Sequence, residues 1–214
     1  MNVILVEGFH DEAFIRTICD QFFADRDFQV EKINGLPRRE NGDKRLNSIL
    51  LARLLAANVK SVGLIVDGDR DPYRIWRRLQ QLPILSETEP EIGEQTLPES
   101  GFVADCRFGS SNVAVGIWVM PDNHSPGQLE DFVLRLVPDR DPVKALAFSY
   151  ITGLPTEQFQ FEDHRVAKHV AHSWLSAYYP GWSFDDALNH GQLADPTNTA
   201  VGAAFLDWLR RISR

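Results

Sequence analysis

Short apolar runs alternate with amphipathic stretches along the first two-thirds of the chain. Residues 2–6 (NVILV) are apolar and rich in β-branched side chains, the pattern of a buried strand. Gly8 permits a tight turn. Phe14, Ile15, Ile18, Phe22 and Phe23 then recur at helical spacing over residues 9–23. Residues 28–33 (FQVEKI) alternate, predicting a second strand with one exposed face, and Asn34-Gly35-Leu36-Pro37 breaks it. Residues 38–43 read as a polar loop, and the Leu-, Ala- and Arg-rich residues 44–57 as a helix. Residues 62–66 (VGLIV) are apolar throughout, as in a central parallel strand covered on both faces. Asp71-Pro72 then starts a helix that runs to about Gln81.

The remainder changes character. Residues 83–100, rich in proline and glutamate, read as a surface loop, and residues 102–108 and 113–120 flank Gly109-Ser110-Ser111-Asn112 as a hairpin. Helical patterns follow over residues 129–137, 141–150, 163–179 and 199–212. The order βαβαβα, then a hairpin, then a helical third predicts an α/β domain with a mainly parallel sheet flanked by helices. Residues 1–135 would form that core and residues 136–214 a helical C-terminal extension, in one compact unit.

At 214 residues with 43% hydrophobic side chains, the chain is long enough for a real core. No basic n-region precedes Glu7, and the longest apolar stretch is far short of the ~20 residues of a membrane helix. Two separated cysteines, Cys19 and Cys106, make neither a disulfide framework nor a metal knuckle. The expectation is a cytoplasmic protein with no membrane association. A net charge of −8 argues against coating nucleic acid through bulk electrostatics. It leaves open a phosphate substrate bridged by bound cations.

Ligands of open α/β sheets bind beyond the carboxyl ends of the strands. Glu7 directly follows the first predicted strand; Asp67 and Asp69 directly follow the third. If those strands are neighbours, their ends lie about 5 Å apart. In extended geometry Asp67 and Asp69 share a face, with Gly68 leaving room for a ligand between them. Gathered carboxylates raise one another's pKa unless a cation sits among them, and such hard oxygen ligands suit Mg²⁺ or Mn²⁺. The competing reading is that these acids are helix caps and turn formers.

Leu5-Val6-Glu7-Gly8-Phe9-His10-Asp11 and Leu64-Ile65-Val66-Asp67-Gly68-Asp69 resemble the two motifs of the Toprim fold, shared by topoisomerases, primases and the overcoming-lysogenization-defect nucleases. Further segments are similar to a family of small stand-alone Toprim-like proteins of unknown function. These are Gly116-Ile117-Trp118-Val119-Met120-Pro121-Asp122-Asn123, Pro126-Gly127-Gln128-Leu129-Glu130-Asp131-Phe132, Lys168 with His172-Ser173-Trp174-Leu175, Pro180-Gly181, and Phe205 with Trp208-Leu209. The resemblance implies a general acid/base or metal-ligating role for Glu7 and metal ligation by Asp67 and Asp69. By likeness to the nuclease branch, Asp11 and a later acid would hold a second metal and a lysine would support catalysis. Glu130, with Asp131 as the alternative, and Lys168 take those places by order along the chain. The implied activity is Mg²⁺- or Mn²⁺-dependent phosphoryl transfer on DNA or RNA, most simply phosphodiester hydrolysis with two metals about 4 Å apart. The alternative is a non-catalytic metal- or nucleotide-binding module working with a protein partner.

Each of these residues has a plainer reading beside the chemical one. Asp11, Glu130 and Asp131 sit where acids complement a helix N-terminus, and Lys168 is a lone helical lysine. Arg70, Arg74, Arg77 and Arg78 fall close to one helical face that could receive a phosphodiester backbone or simply be solvated. The basic group Arg38, Arg39, Lys44 and Arg45 has the same two readings. His164, His169 and His172 lack a fourth ligand at matching spacing and read as structural. Trp118, Trp174, Trp182 and Trp208 read as packing residues, and Asp122 and Asn123 as turn residues that could line the site.

Overall fold

Strand β1 (Asn2–Val6) is buried along its whole length because it has a strand on each side and helices over both faces. The computed structural model describes residues 1–33, 40–86, 97–108, 111–155, 165–183, 186–188 and 195–213. Helix α1 (Phe9–Phe22) returns the chain to β2 (Phe28–Lys32), and α2 (Glu40–Leu54) returns it to β3 (Ser61–Asp67). Helices α3 (Pro72–Gln80) and α4 (Pro83–Ser86) precede the hairpin of β4 (Phe102–Phe108) and β5 (Ser111–Met120). Helices α5 (Leu129–Leu136), α6 (Pro142–Thr152), α7 (Val166–Tyr178) and α8 (Ala200–Ile212) follow.

The five strands lie in the order β2-β1-β3-β5-β4. All neighbours are parallel except β4, which runs antiparallel to β5. The architecture is therefore α/β, with a mainly parallel sheet flanked by helices. Strands β1 and β3 are neighbours, with Val6 opposite Ile65, so Glu7 and Asp67 leave adjacent strands at the same edge.

Alternate side chains of each strand enter separate cores, as a period of two requires. Val3, Leu5, Leu64 and Val66 pack with Leu46, Leu50, Trp76 and Leu79 of α2 and α3. Ile4, Val6, Ile65 and Trp118 pack on the other side with α1, α5, α7 and α8. Helix α8 sits directly on the sheet. Gly63 and Gly116 face each other across β3 and β5, and a Cβ on either would come within 2.9 Å of Ile212. The two glycines make a trough for α8, and Trp208 Nε1 donates to the Phe102 carbonyl at 3.0 Å. The C-terminal helices thus complete the same core that β1 begins, rather than standing beside it.

Several expected boundaries shift. Helix α2 begins at Glu40, inside the segment expected to be a polar loop. The expected loop over residues 83–100 opens with α4, whose Ile84 and Leu85 are buried against α2 and α3 neighbours. Trp118, Trp174 and Trp208 are core residues as expected, whereas Trp182 is 45% exposed and stacks on Tyr179. Arg38, Arg39 and His164 lie outside the described residues. Among the described residues no helix is long and apolar enough to cross a membrane.

Candidate metal centre

Two strand ends and two helix starts meet in one cleft of about 450 Å³. Glu7 leaves β1, and its Oε1 accepts the Asp67 backbone N–H at 2.9 Å, which fastens the end of β3 to the end of β1. Gly8 caps α1, and its N–H donates to Asp11 Oδ2 at 2.9 Å. Asp11 therefore does cap its helix, yet it is only 9% exposed and lines the cleft with Glu7 and Asp67. Capping the helix and lining the cleft are compatible for this residue.

Helix α5 repeats the arrangement of α1. Gln128 caps it, and its N–H donates to Asp131 Oδ2 at 2.9 Å. That bond commits Asp131 to the cap. Glu130 is the one that faces the acidic cleft, 4% exposed, with its Oε1 2.9 Å from Lys168 Nζ on α7. Of the two acids weighed for this place, the structure brings Glu130 to Asp11 and Asp67.

Asp69 departs from expectation. Strand β3 ends at Asp67, and the Gly68 N–H donates to the Met120 carbonyl at 3.0 Å, where a Cβ on residue 68 would stand 2.4 Å from that oxygen. Asp69 then takes a left-handed conformation, with φ of 46°. Its carbonyl accepts from the Gly127 N–H at 2.8 Å, and its Oδ1 from Gln128 Nε2 at 3.4 Å. The extended spacing that would put Asp67 and Asp69 on one face does not exist, because the chain has already turned. Asp69 lines an adjoining cleft, although its charge still acts on Asp67.

The electrostatics mark Asp67 as the centre. Burial pushes its carboxyl well above the usual carboxylate range, and Asp11, Glu7, Glu130 and Asp69 push it further. Burial also raises Asp11; the Gly8 N–H opposes this and Glu130 adds to it. Beside them, burial lowers His172 against the pull of Glu130, while Lys168, His10 and His169 lower it further. Asp67 Oδ1 is shielded from solvent and has no hydrogen-bond donor. An anionic oxygen left this way is costly, and a cation is the partner that would relieve it. Among the described residues, no three His, Cys, Asp or Glu side chains are already drawn together as metal ligands. By chemistry, carboxylate oxygens such as these and the donor-less Asp67 Oδ1 suit a hard cation such as Mg²⁺ or Mn²⁺.

The arginines stand apart. Asp71 caps α3 by accepting the Arg74 N–H at 3.0 Å, and Arg77 lies 3.9 Å from the same carboxylate. Arg70 precedes the helix, so the expected four-arginine helical face loses a member, and none of Arg70, Arg74 and Arg77 lines either cleft. Asp122 and Asn123 are structural. Asn123 Oδ1 accepts the Val119 N–H and its Nδ2 donates to the Glu99 carbonyl, while Asp122 accepts from His124 and Ser125 and pairs with Arg135. The sequence reading overlooked Phe9, His10, Lys32 and Gln128 as lining residues. Lys32 was within reach of the strand-end rule, since it closes β2 at the same sheet edge.

Carboxylates at the carboxyl ends of adjacent parallel strands, facing helix starts across a cleft, define an open α/β protein with an acidic cleft where such sheets bind ligands. The chain belongs to the family described as protein of unknown function DUF3226, whose family model matches residues 1–214. No curated protein and no solved structure matches it.

Proposed function

We propose that this chain is a Toprim-like phosphoryl-transfer protein, a Mg²⁺- or Mn²⁺-dependent nuclease that hydrolyses nucleic-acid phosphodiesters. The observation that carries the reading is the buried, donor-less Asp67 Oδ1 set among Asp11, Glu7 and Glu130. Glu7, Asp11 and Asp67 would hold the metal, with Glu130 beside them and Asp69 contributing charge from the adjoining turn. A bound divalent ion supplies Lewis-acid polarisation of a phosphoryl oxygen and a more acidic water. The chain's own groups do the rest. Lys168 lines the same cleft and would balance negative charge developing on the phosphate. Glu7, which lines the same cleft, would move a proton to or from the reacting oxygens. The Gly8 N–H holds Asp11 in place by its bond to Oδ2.

A second reading is a non-catalytic metal- or nucleotide-binding module within a partner complex. It is favoured by the Lys168–Glu130 ion pair, which engages both groups, and by the absence of a preformed ligand set among the described residues.

The test is incubation of the purified protein with plasmid, single-stranded DNA and RNA in Mg²⁺, Mn²⁺ or EDTA. Metal-dependent cutting that Asp67→Ala abolishes is the expected result. Tight metal binding without cutting of any substrate assigns the module reading. Unchanged metal affinity after loss of Asp67 and Asp69 overturns both.

A further inference from the structure

A second cleft of about 450 Å³ adjoins the acidic one, and its wall includes Asp69, Asp131, Leu134, Phe148 and Val166. At four places the chain sends near neighbours to opposite sides of the divide. Asp67, Gln128, Glu130 and Lys168 line the acidic cleft, while Asp69, Gly127, Asp131 and Ala167 line the second. Between them Gln128 Nε2 donates to Asp69 Oδ1 at 3.4 Å. The two clefts lie side by side along the starts of α5 and α7.

The two clefts differ in chemistry, and each carries an exposed aromatic ring. Phe9 is 67% exposed on the acidic side, with the Lys32 ammonium over its ring. Phe148 is 55% exposed on the other side, on a wall with Leu134, Val166 and Val170. Leaving a phenyl ring in water forgoes the stabilisation of burying it. The exposed Leu146 and Tyr150 of the same helix line neither cleft. In the second cleft Arg135 is paired with Asp122 and Lys144 with Asp139, so affinity there must come from ring faces more than from charge.

Aromatic, acidic centre, aromatic is the complement of an unpaired nucleic-acid strand, which alternates flat bases with anionic phosphates. A duplex keeps its bases stacked inside and has no ring faces to offer. We infer that the two clefts act as one trough for an unpaired stretch of DNA or RNA, with bases on Phe9 and Phe148 and the intervening backbone at the acidic centre. This rests on the metal-site reading, because a chain of net charge −8 needs bound cations to receive that phosphate.

The test is fluorescence anisotropy with labelled oligothymidylate, oligouridylate and a DNA hairpin, in Ca²⁺ and in EDTA, with cleavage in Mg²⁺ and Mn²⁺ followed on gels. The unpaired oligomers are expected to bind at least about tenfold more tightly than the hairpin, in Ca²⁺ only. Phe9→Ala and Phe148→Ala should each weaken that binding about tenfold or more, with Tyr at either position restoring it. Tyr150→Ala is the control and should bind as the parent does. Equal affinity for hairpin and single strand, or parental binding by both alanine variants, overturns the trough. Cleavage that persists without dependence on either phenylalanine leaves the nuclease reading standing and removes only this one. Phenylalanine-dependent binding with no cleavage in either metal does the reverse, and no binding of any oligomer removes both.

Discussion

Replacing Asp67 with Asn is expected to make the metal-free protein more stable while abolishing its response to metal. Asp67 is held by burial and by Asp11, Glu7, Glu130 and Asp69 well above the usual carboxylate range, so the folded chain prefers its protonated form. The sign follows from proton linkage. A carboxyl raised on folding binds more protons in the native state, so stability falls as pH climbs from the unfolded pKa towards the folded one. The penalty grows with pH from the unfolded pKa upward, so it is already in force at neutral pH. Asn keeps the shape and removes the charge, and relieving one buried, unsatisfied group of this kind is worth about 1–3 kcal/mol. For a chain of this length, about 2–4 °C in Tm accompanies each kcal/mol, so the variant should melt roughly 2–12 °C higher in EDTA. In the parent, metal at about 100 times its Kd should add about 2.7 kcal/mol, and in Asp67→Asn that gain should largely vanish.

Differential scanning fluorimetry at neutral pH, in EDTA and in titrated Mg²⁺ or Mn²⁺, reads both effects. A pH series supplies a second check. The parent's Tm in EDTA should rise as pH is lowered from about 8 towards about 5, and that slope should flatten in the variant. A variant that melts lower in EDTA and keeps the parental metal shift would refute the reasoning, because Asp67 would then be a satisfied structural acid.

Three further outcomes follow from neighbouring contacts. Lys168→Ala strips the ion pair from a Glu130 that is 4% exposed, and with the lysine itself 42% exposed the cost should be about 1–2 kcal/mol in urea denaturation. The same variant should lose metal-dependent cleavage while metal affinity, read by calorimetry, holds or rises. Trp208→Ala empties the site beneath Gly63 and Gly116 and breaks the bond to the Phe102 carbonyl, so a loss of about 3–5 kcal/mol is expected. Asn123→Ala leaves the Val119 N–H and the Glu99 carbonyl without their partner, at about 1–3 kcal/mol, and should leave metal binding intact.

How far the sequence discloses the site depends on what each inference needed. Strand β1 was legible because four apolar residues running up to Glu7 need no partner to be recognised, and the cap of α3 because Asp71-Pro72 is a local signal. The convergence of Glu7 and Asp67 needed only that β1 and β3 be neighbours, which an alternating α/β pattern favours. Asp69 failed for a backbone reason. A period-of-two argument holds only while the strand continues, and at Asp69, with φ of 46°, the competing turn reading is the one the backbone follows. Glu130 and Asp131 could not be separated by order along the chain, because each is an acid in the first turn of α5. Only the bond from the Gln128 N–H to Asp131 assigns one to the cap and sends the other to Lys168. Asp11 shows that cap and site need not exclude each other, since its bond to the Gly8 N–H is what holds it towards Asp67. Capping geometry thus holds Asp11 in the acidic cleft and Asp131 in the adjoining one, which leaves Glu130 to face Lys168, and the turn at Gly68 sends Asp69 to the same side as Asp131.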